Sequence, residues 1–222
     1  MVTVKKHRRN PLLDSFYLRY LDDEDSAAFI TAVSKHYMTS SLERLALRGQ
    51  RLSRRGAVLA VGFLGDYSST SILGQALHDS DRVVRVLAEN GIFELWCRDG
   101  SEAQSREVRT ILRLNNSYQF EEARERADRL IEEAPDFAET WNQRAISYFR
   151  QGQYEEAASD CQQTLELNPF HFGAAVGIAH CYLETGEGFA ALEWFRRAFE
   201  LNPNLEAVRG QIEYLERALE ET

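Results

Sequence analysis

ETWNQRAISYFRQGQYEEAASDCQQTLELNP, residues 139–169, is the stretch whose reading decides the fold. Trp141, Ala145 and Tyr148 recur at spacings of four and three, which places them on one face of a helix. Ala157, Cys161, Thr164 and Leu165 form a matching face on a second helix, and small Ala145 and Ala157 let the two axes approach closely. Gln151 and Gly152 make the turn between them. Asn168 and Pro169 end the second helix, because proline cannot donate the helical hydrogen bond and biases the preceding residue away from helix. The spacing predicts a hairpin of two antiparallel helices.

The hairpin recurs. Pro135, Pro169 and Pro203 stand 34 residues apart, and Ala123, Ala157 and Ala191, Gly152 and Gly186, Tyr148 and Tyr182, and Ala145 and Ala179 keep the same step. This is the period of a helix-pair solenoid, in which each unit buries its apolar face against the next. The pattern resembles the tetratricopeptide repeat family, whose unit favours Trp, a small residue, Tyr, Gly, Tyr, Ala, an aromatic, Ala and Pro at set positions. Residues 138–171 carry Trp141, Ala145, Tyr148, Gly152, Tyr154, Ala157 and Pro169. Residues 172–205 carry Ala179, Tyr182, Gly186, Ala191, Phe195, Ala198 and Pro203. A degenerate unit at 104–137 keeps Leu114, Phe120, Ala123, Leu130 and Pro135, with Tyr118 in place of the turn glycine and Glu107 in place of the Trp. Residues 206–221 add a capping helix with Val208, Ile212, Leu215 and Leu219 inward.

The N-terminal half carries a looser repeat. RRGAVLAVGFLGD at 54–66 and VRVLAENGIFEL at 84–95 superpose with Arg54 over Arg85 and Ala57 over Ala88. A helix and acidic turn, SSTSILGQALHDSD, lie between them, and DSAAFITAVSKHY with SSLERLALRG predicts an earlier pair, N-capped at Asp25 or Ser26 and at Ser40 or Ser41. Asp79, Asp81, Val84 and Arg85 resemble the signature of short HEAT repeats. The expected fold is therefore all-α: a right-handed superhelical α-solenoid of HEAT-like units followed by tetratricopeptide units. Its expected parts are a basic arm at 1–20, HEAT-like repeats at 21–100 and a tetratricopeptide domain at 101–222, joined without a long linker where Asp99 and Gly100 break the pattern.

Of 222 residues, 44% are hydrophobic, enough for a continuous core. No apolar run approaches the roughly 20 residues that span a bilayer. The basic start MVTVKKHRRN lacks the apolar stretch of a secretory signal, so a cytoplasmic location is expected. The net charge of -9 is uneven: residues 1–100 carry 14 Lys and Arg against 12 Asp and Glu, and residues 101–222 carry 12 against 23. The acidic half repels nucleic-acid backbone and acidic membranes, so the expected partner is a protein or peptide, with no membrane.

In the family, the first helix of each pair lines a concave groove. The resemblance puts Asn142, Ile146, Phe149 and Arg150 beside Val176, His180, Leu183 and Glu184 as the partner-binding residues, with Val108, Leu112, Asn115 and Asn116 from the degenerate unit. Val108, Asn142 and Val176 stand where chaperone-tail binders of the family present a basic residue. A second candidate surface is the cluster Arg44, Arg48, Arg51, Arg54 and Arg55, which could meet phosphates; the simpler reading pairs these arginines with turn aspartates such as Asp79 and Asp81. Asp22, Asp23, Glu24 and Asp25 read as the acidic first turn of a helix, without the spaced oxygens and glycine of a calcium loop. GFLGD at 62–66 lacks the order of a phosphate loop, and Trp194 falls near an outer face. Cys97, Cys161 and Cys181 form no CxxC pair and read as buried thiols. No catalytic residue, metal site or cofactor is expected, and the primary reading is a non-enzymatic scaffold. The alternatives are a small-ligand or pigment-handling solenoid, as in lyase-like HEAT proteins, and nucleic-acid binding through the arginine-rich half.

Overall fold

The computed structural model describes residues 11–220, which form thirteen α-helices and a short 3-10 turn, with no strand among the described residues. Helices α1 (Leu12–Asp23), α2 (Ser26–Ser34), α3 (Thr39–Arg48), α4 (Arg51–Leu64), α5 (Thr70–Ala76) and α6 (Arg82–Trp96) build the N-terminal half. Helix α4 is its axis, packed by α1, α2, α3 and α6. Small residues in α4 make this possible: a Cβ on Gly62 would stand 3.0 Å from the Cα of Gly91, so α4 and α6 meet backbone to backbone. Leu13, Tyr17, Phe29, Val33, Leu42, Val61, Leu73, Ile92 and Leu95 fill the core around that crossing.

Three sequence expectations change here. The arm does not run to residue 20, because Leu13 and Tyr17, one turn apart, bury their side chains against Gly56 and draw α1 into the core. Asp22 and Asp23 lie in the last turn of α1, not the first turn of a helix; Glu24 reverses the chain with φ 53°, and Asp25 caps α2 by accepting from the Ala28 amide at 2.9 Å. Helix α3 begins at Thr39 with Met38 as its cap residue, so Ser40 and Ser41 fall inside its first turn. Lys5, Lys6, Arg8 and Arg9 lie outside the described residues.

The arginines of α4 pair with the turn before α6, as the simpler reading expected. Arg54 donates to both carboxylate oxygens of Asp79 at 2.6 and 2.9 Å, and Arg55 to both of Asp81 at 2.7 and 2.9 Å. Asp81 also accepts from Arg51 and from the Val83 amide, capping α6. The Arg55 hydrogen bond holds the Asp81 carboxyl well below its usual range despite burial. At Asp79, burial is the largest single influence and opposes ionisation, but the Arg54 hydrogen bond and charge together with the Asp81 amide outweigh it, and the carboxyl is again held low.

The C-terminal half is a stack of hairpins: α7 (Glu102–Asn116) with α8 (Phe120–Glu133), α9 (Ala138–Arg150) with α10 (Tyr154–Leu167), and α11 (Phe172–Glu184) with α12 (Gly188–Leu201), closed by α13 (Glu206–Glu220). Ala145, Cys161, Ala174, Ile178, Ala191, Phe195 and Val208 make its main core. Arg144 fastens three helices together, donating to Asp160 of α10 at 2.7 and 2.8 Å and to Asp128 of α8 at 2.7 Å. Within each hairpin the turn needs one left-handed residue. Gly152 and Gly186 take it with φ 77° and 82°, and in the degenerate unit Tyr118 takes it with φ 62°.

The two halves join along the turns between hairpins, which the 34-residue period brings to one edge. A Cβ on Gly100 would stand 2.9 Å from Phe137, and one on Gly74 would stand 3.2 Å from Phe170. Tyr67 donates its hydroxyl to the Leu167 carbonyl at 3.0 Å, and Arg85 donates to Asn204 at 2.9 Å. At the centre the Trp96 ring stacks on His171 at 3.8 Å and leans on Phe172 at 4.9 Å. Asp99 lies at this seam, and burial with the nearby Asp136 charge pushes its carboxyl up to about 6.

Three measurements check this description. Replacing Tyr118 by Gly should raise stability by about 0.5–1 kcal/mol in chemical denaturation, since a tyrosine gains nothing in the left-handed region and this one is 75% exposed. Trp96→Ala should cost about 3–5 kcal/mol, whereas Trp194→Ala, on the half-buried outer face of α12, should cost about 1 kcal/mol or less. For Asp99 the folded value of about 6 exceeds the unfolded value of roughly 3.9, so its contribution is fully present below roughly pH 3.9 and is lost as pH rises through 6. Asp99→Asn should therefore melt higher than the parent at pH 7.5 and converge with it in acid.

Candidate interaction groove

Helices α7, α9, α11 and α13 are the first helices of successive units, and the groove positions follow from their register. At the helix starts the chain is closed. Val108 is fully buried, Asn142 is 8% exposed, and the Asn142 amide donates to Glu139 at 3.2 Å. Further along, Leu112, Ile146, Phe149, Val176, His180 and Leu183 are half-buried, and Asn116, Arg150 and Glu184 are exposed. Phe149 and His180, from neighbouring units, come within 6.2 Å ring to ring, and Phe149 also leans on Tyr154 at 5.4 Å. His180 points its edge at Phe195, and burial shifts the imidazole toward its neutral form. Glu184 accepts weakly from the Tyr154 hydroxyl at 3.5 Å. Arg150 makes no ion pair among the described residues.

Beneath the helix starts runs a buried polar network that sequence reading missed. Asn115 donates to the Gln143 carbonyl at 2.9 Å and accepts from the Ser147 hydroxyl at 2.8 Å. Gln143 donates to Glu139 at 2.7 Å, and His171 bonds the same carboxylate at 2.8 Å. The Ala174 amide donates to His171 Nδ1 at 3.0 Å, so the ring proton that meets Glu139 sits on Nε2. Glu139 is 1% exposed, and these three side-chain donors make its burial tolerable. The Glu139–Gln143 pair has ordinary helical spacing, but the contacts that join one unit to the next lie 28 to 32 residues apart, a separation that no local pattern ranks above any other. Tyr214 of α13, 60% exposed, occupies the register position of His180 one unit on and was also missed.

The thiols of the chain are not poised as nucleophiles. All three cysteines are buried, and burial pushes the Cys97 thiol up to about 12, Cys181 up to about 11 and Cys161 higher still, so none is a ready thiolate. No group of three potential metal ligands occurs among the described residues. None of the described helices is long and apolar enough to cross a membrane. Trp194 is half-buried, with the Arg197 guanidinium 4.8 Å over its ring.

Comparison with known proteins agrees with this architecture. Residues 138–171 match the tetratricopeptide repeat family. A tetratricopeptide repeat-containing protein of Rhizobium etli is 33% identical over 92 residues, covering 41% of this chain and 45% of that protein. Human DnaJ homolog subfamily C member 7 is 30% identical over 108 residues, covering 47% of this chain and 22% of that protein. The chain thus spans less than half the length of these relatives. Among solved structures, the first tetratricopeptide domain of human RPAP3 superposes with a TM-score of 0.52 at 20% identity, over 55% of this chain and 96% of that one. The Sgt2 domain of Aspergillus fumigatus gives 0.51 at 19%, over 55% and 82%. Residues 138–171 thus carry a tetratricopeptide repeat, and the C-terminal half shares the fold of tetratricopeptide domains.

Proposed function

We propose that this chain is a non-enzymatic scaffold that holds a peptide or a partner helix in the groove of its C-terminal half. The observation that carries the reading is the row Ile146, Phe149, Val176 and Leu183, interrupted by His180: side chains left half-open on helices whose other faces are locked into the core. A rigid groove loses little conformational entropy on binding, so a few anchors supply most of the energy. Ile146, Phe149 and Leu183 act as anchors, while Arg150 and Glu184 set register by charge and His180 by hydrogen bonding. Asn142 contributes from below, by holding Glu139.

The repeat domain of Spaghetti (RPAP3) has been solved with the HSP90 peptide SRMEEVD, at 20% identity to this chain, which supports a segment-holding role by fold. Val108 and Val176 offer no charge at groove positions of the present chain, and Asn142 is engaged with Glu139. The favoured ligand is therefore anchored by apolar side chains rather than clamped by its carboxylates.

The test is affinity capture from source lysate with the parent protein beside an Ile146→Ala, Arg150→Ala, Glu184→Ala variant, read by mass spectrometry. A partner enriched by the parent should fall about tenfold or more with a variant whose helical melt is unchanged, which corresponds to about 1.4 kcal/mol or more. Equal retention by both proteins would remove the groove from consideration.

A further inference from the structure

A second surface, in the N-terminal half, is separate from the groove. The α3–α4 turn and the turn before α6 lie side by side, tied by the Arg54–Asp79 and Arg55–Asp81 pairs. Between them is an open depression of about 460 Å³ lined by Arg51, Arg54, Arg55, Ser80, Asp81, Arg82 and Val83. Its acids face inward and are fully engaged: the side chains of Asp79 and Asp81 are 13% and 5% exposed. Its remaining bases face water. Arg51 touches Asp81 through Nε alone, leaves both Nη groups without a protein partner, and is 73% exposed in its side chain. Arg82, the first residue of α6, is exposed and has no carboxylate partner among the described residues; the same holds for Arg44 and Arg48 on α3. The aspartates thus work as internal braces that fix Arg54 and Arg55, and the Arg82 guanidinium and the Nη groups of Arg51 stay open to water on a protein of net charge -9.

We propose that this depression binds a phosphorylated segment of a protein, with Arg51 and Arg82 donating to the phosphate. A planar guanidinium matches phosphate oxygens with two parallel N–H donors, and a phosphoserine carries roughly -1.5 to -2 charges on three acceptor oxygens. The extent of the patch selects a short ligand. The adjoining C-terminal half carries 12 Lys and Arg against 23 Asp and Glu, and a long polyanion following its backbone away from the depression would meet that repulsion. A segment with one or two phosphates stays within reach of the arginines alone. This surface does not depend on what the groove holds.

Fluorescence anisotropy of the full chain tests the proposal, with a fluorescein-labelled Gly/Ser peptide carrying two phosphoserines, its unphosphorylated twin, and a labelled oligothymidylate as probes. The phosphopeptide should bind more tightly than both other probes, and its binding should weaken as salt rises from about 50 to about 300 mM. Arg51→Ala with Arg82→Ala should lower its affinity about tenfold or more. Arg82→Ala alone, which breaks no bond within the fold, should lower it in the same direction, and Arg197→Ala on α12 should leave it unchanged. Equal affinity for the unphosphorylated twin, indifference to the Arg82→Ala change, or tighter binding of the oligothymidylate would each overturn the assignment, the last in favour of nucleic acid.

Discussion

The stack of Trp96 on His171 is the contact on which the arrangement of this molecule depends. Trp96 ends α6 and closes the core of the N-terminal half, while His171 opens α11 and caps it by accepting the Ala174 amide. The other ring nitrogen reaches Glu139, which organises Gln143 and Asn142 at the start of α9. One pair of rings therefore couples the apolar core of one half to the buried polar network of the other. Both side chains are at least 97% buried, so water cannot substitute for either partner if it is lost.

That coupling explains the division of the groove. A solenoid alone leaves the whole inner face of its first helices open, since each unit contacts only its neighbours. Here the starts of α9 and α11 are drawn into the seam, and Asn142, Glu139 and His171 become structural. The later turns of the same helices retain Ile146, Phe149, Arg150, His180, Leu183 and Glu184 at or near the surface. The seam thus leaves only the later turns of these helices open at the inner face. At the far side of the N-terminal half, the same economy applies to the arginines: those that pair with buried aspartates position α4 against α6, and those left over give the surface its charge.

The repeat was legible because it is written in local rules. A small residue recurring where helices cross, a proline after each second helix and a left-handed residue in each turn are demands that each hairpin makes on its own segment, so Ala145, Pro169 and Gly152 announce themselves. Even the irregular unit obeys: Tyr118 occupies the left-handed position that glycine holds in the other two. The pairing of Arg54 and Arg55 with Asp79 and Asp81 was also readable, since the residues flank adjacent helix starts. The extent of α1 was not, because Leu13 and Tyr17 become helical by burial against Gly56, about forty residues later in the chain.

The sequence by itself determined the helix pairs and their period, because those depend on spacings of three, four and 34 along one chain, and the family resemblance implied which first-helix residues are offered to a groove. Only the tertiary structure decided which of the offered residues stay available. Asn142 and Ile146 are one turn apart on the same helix, and nothing local distinguishes them; Asn142 is buried against Glu139, which His171 holds in place beneath the Trp96 ring. Accessibility is set by which distant segment lies on top, a property of three-dimensional packing that no periodicity along the chain encodes.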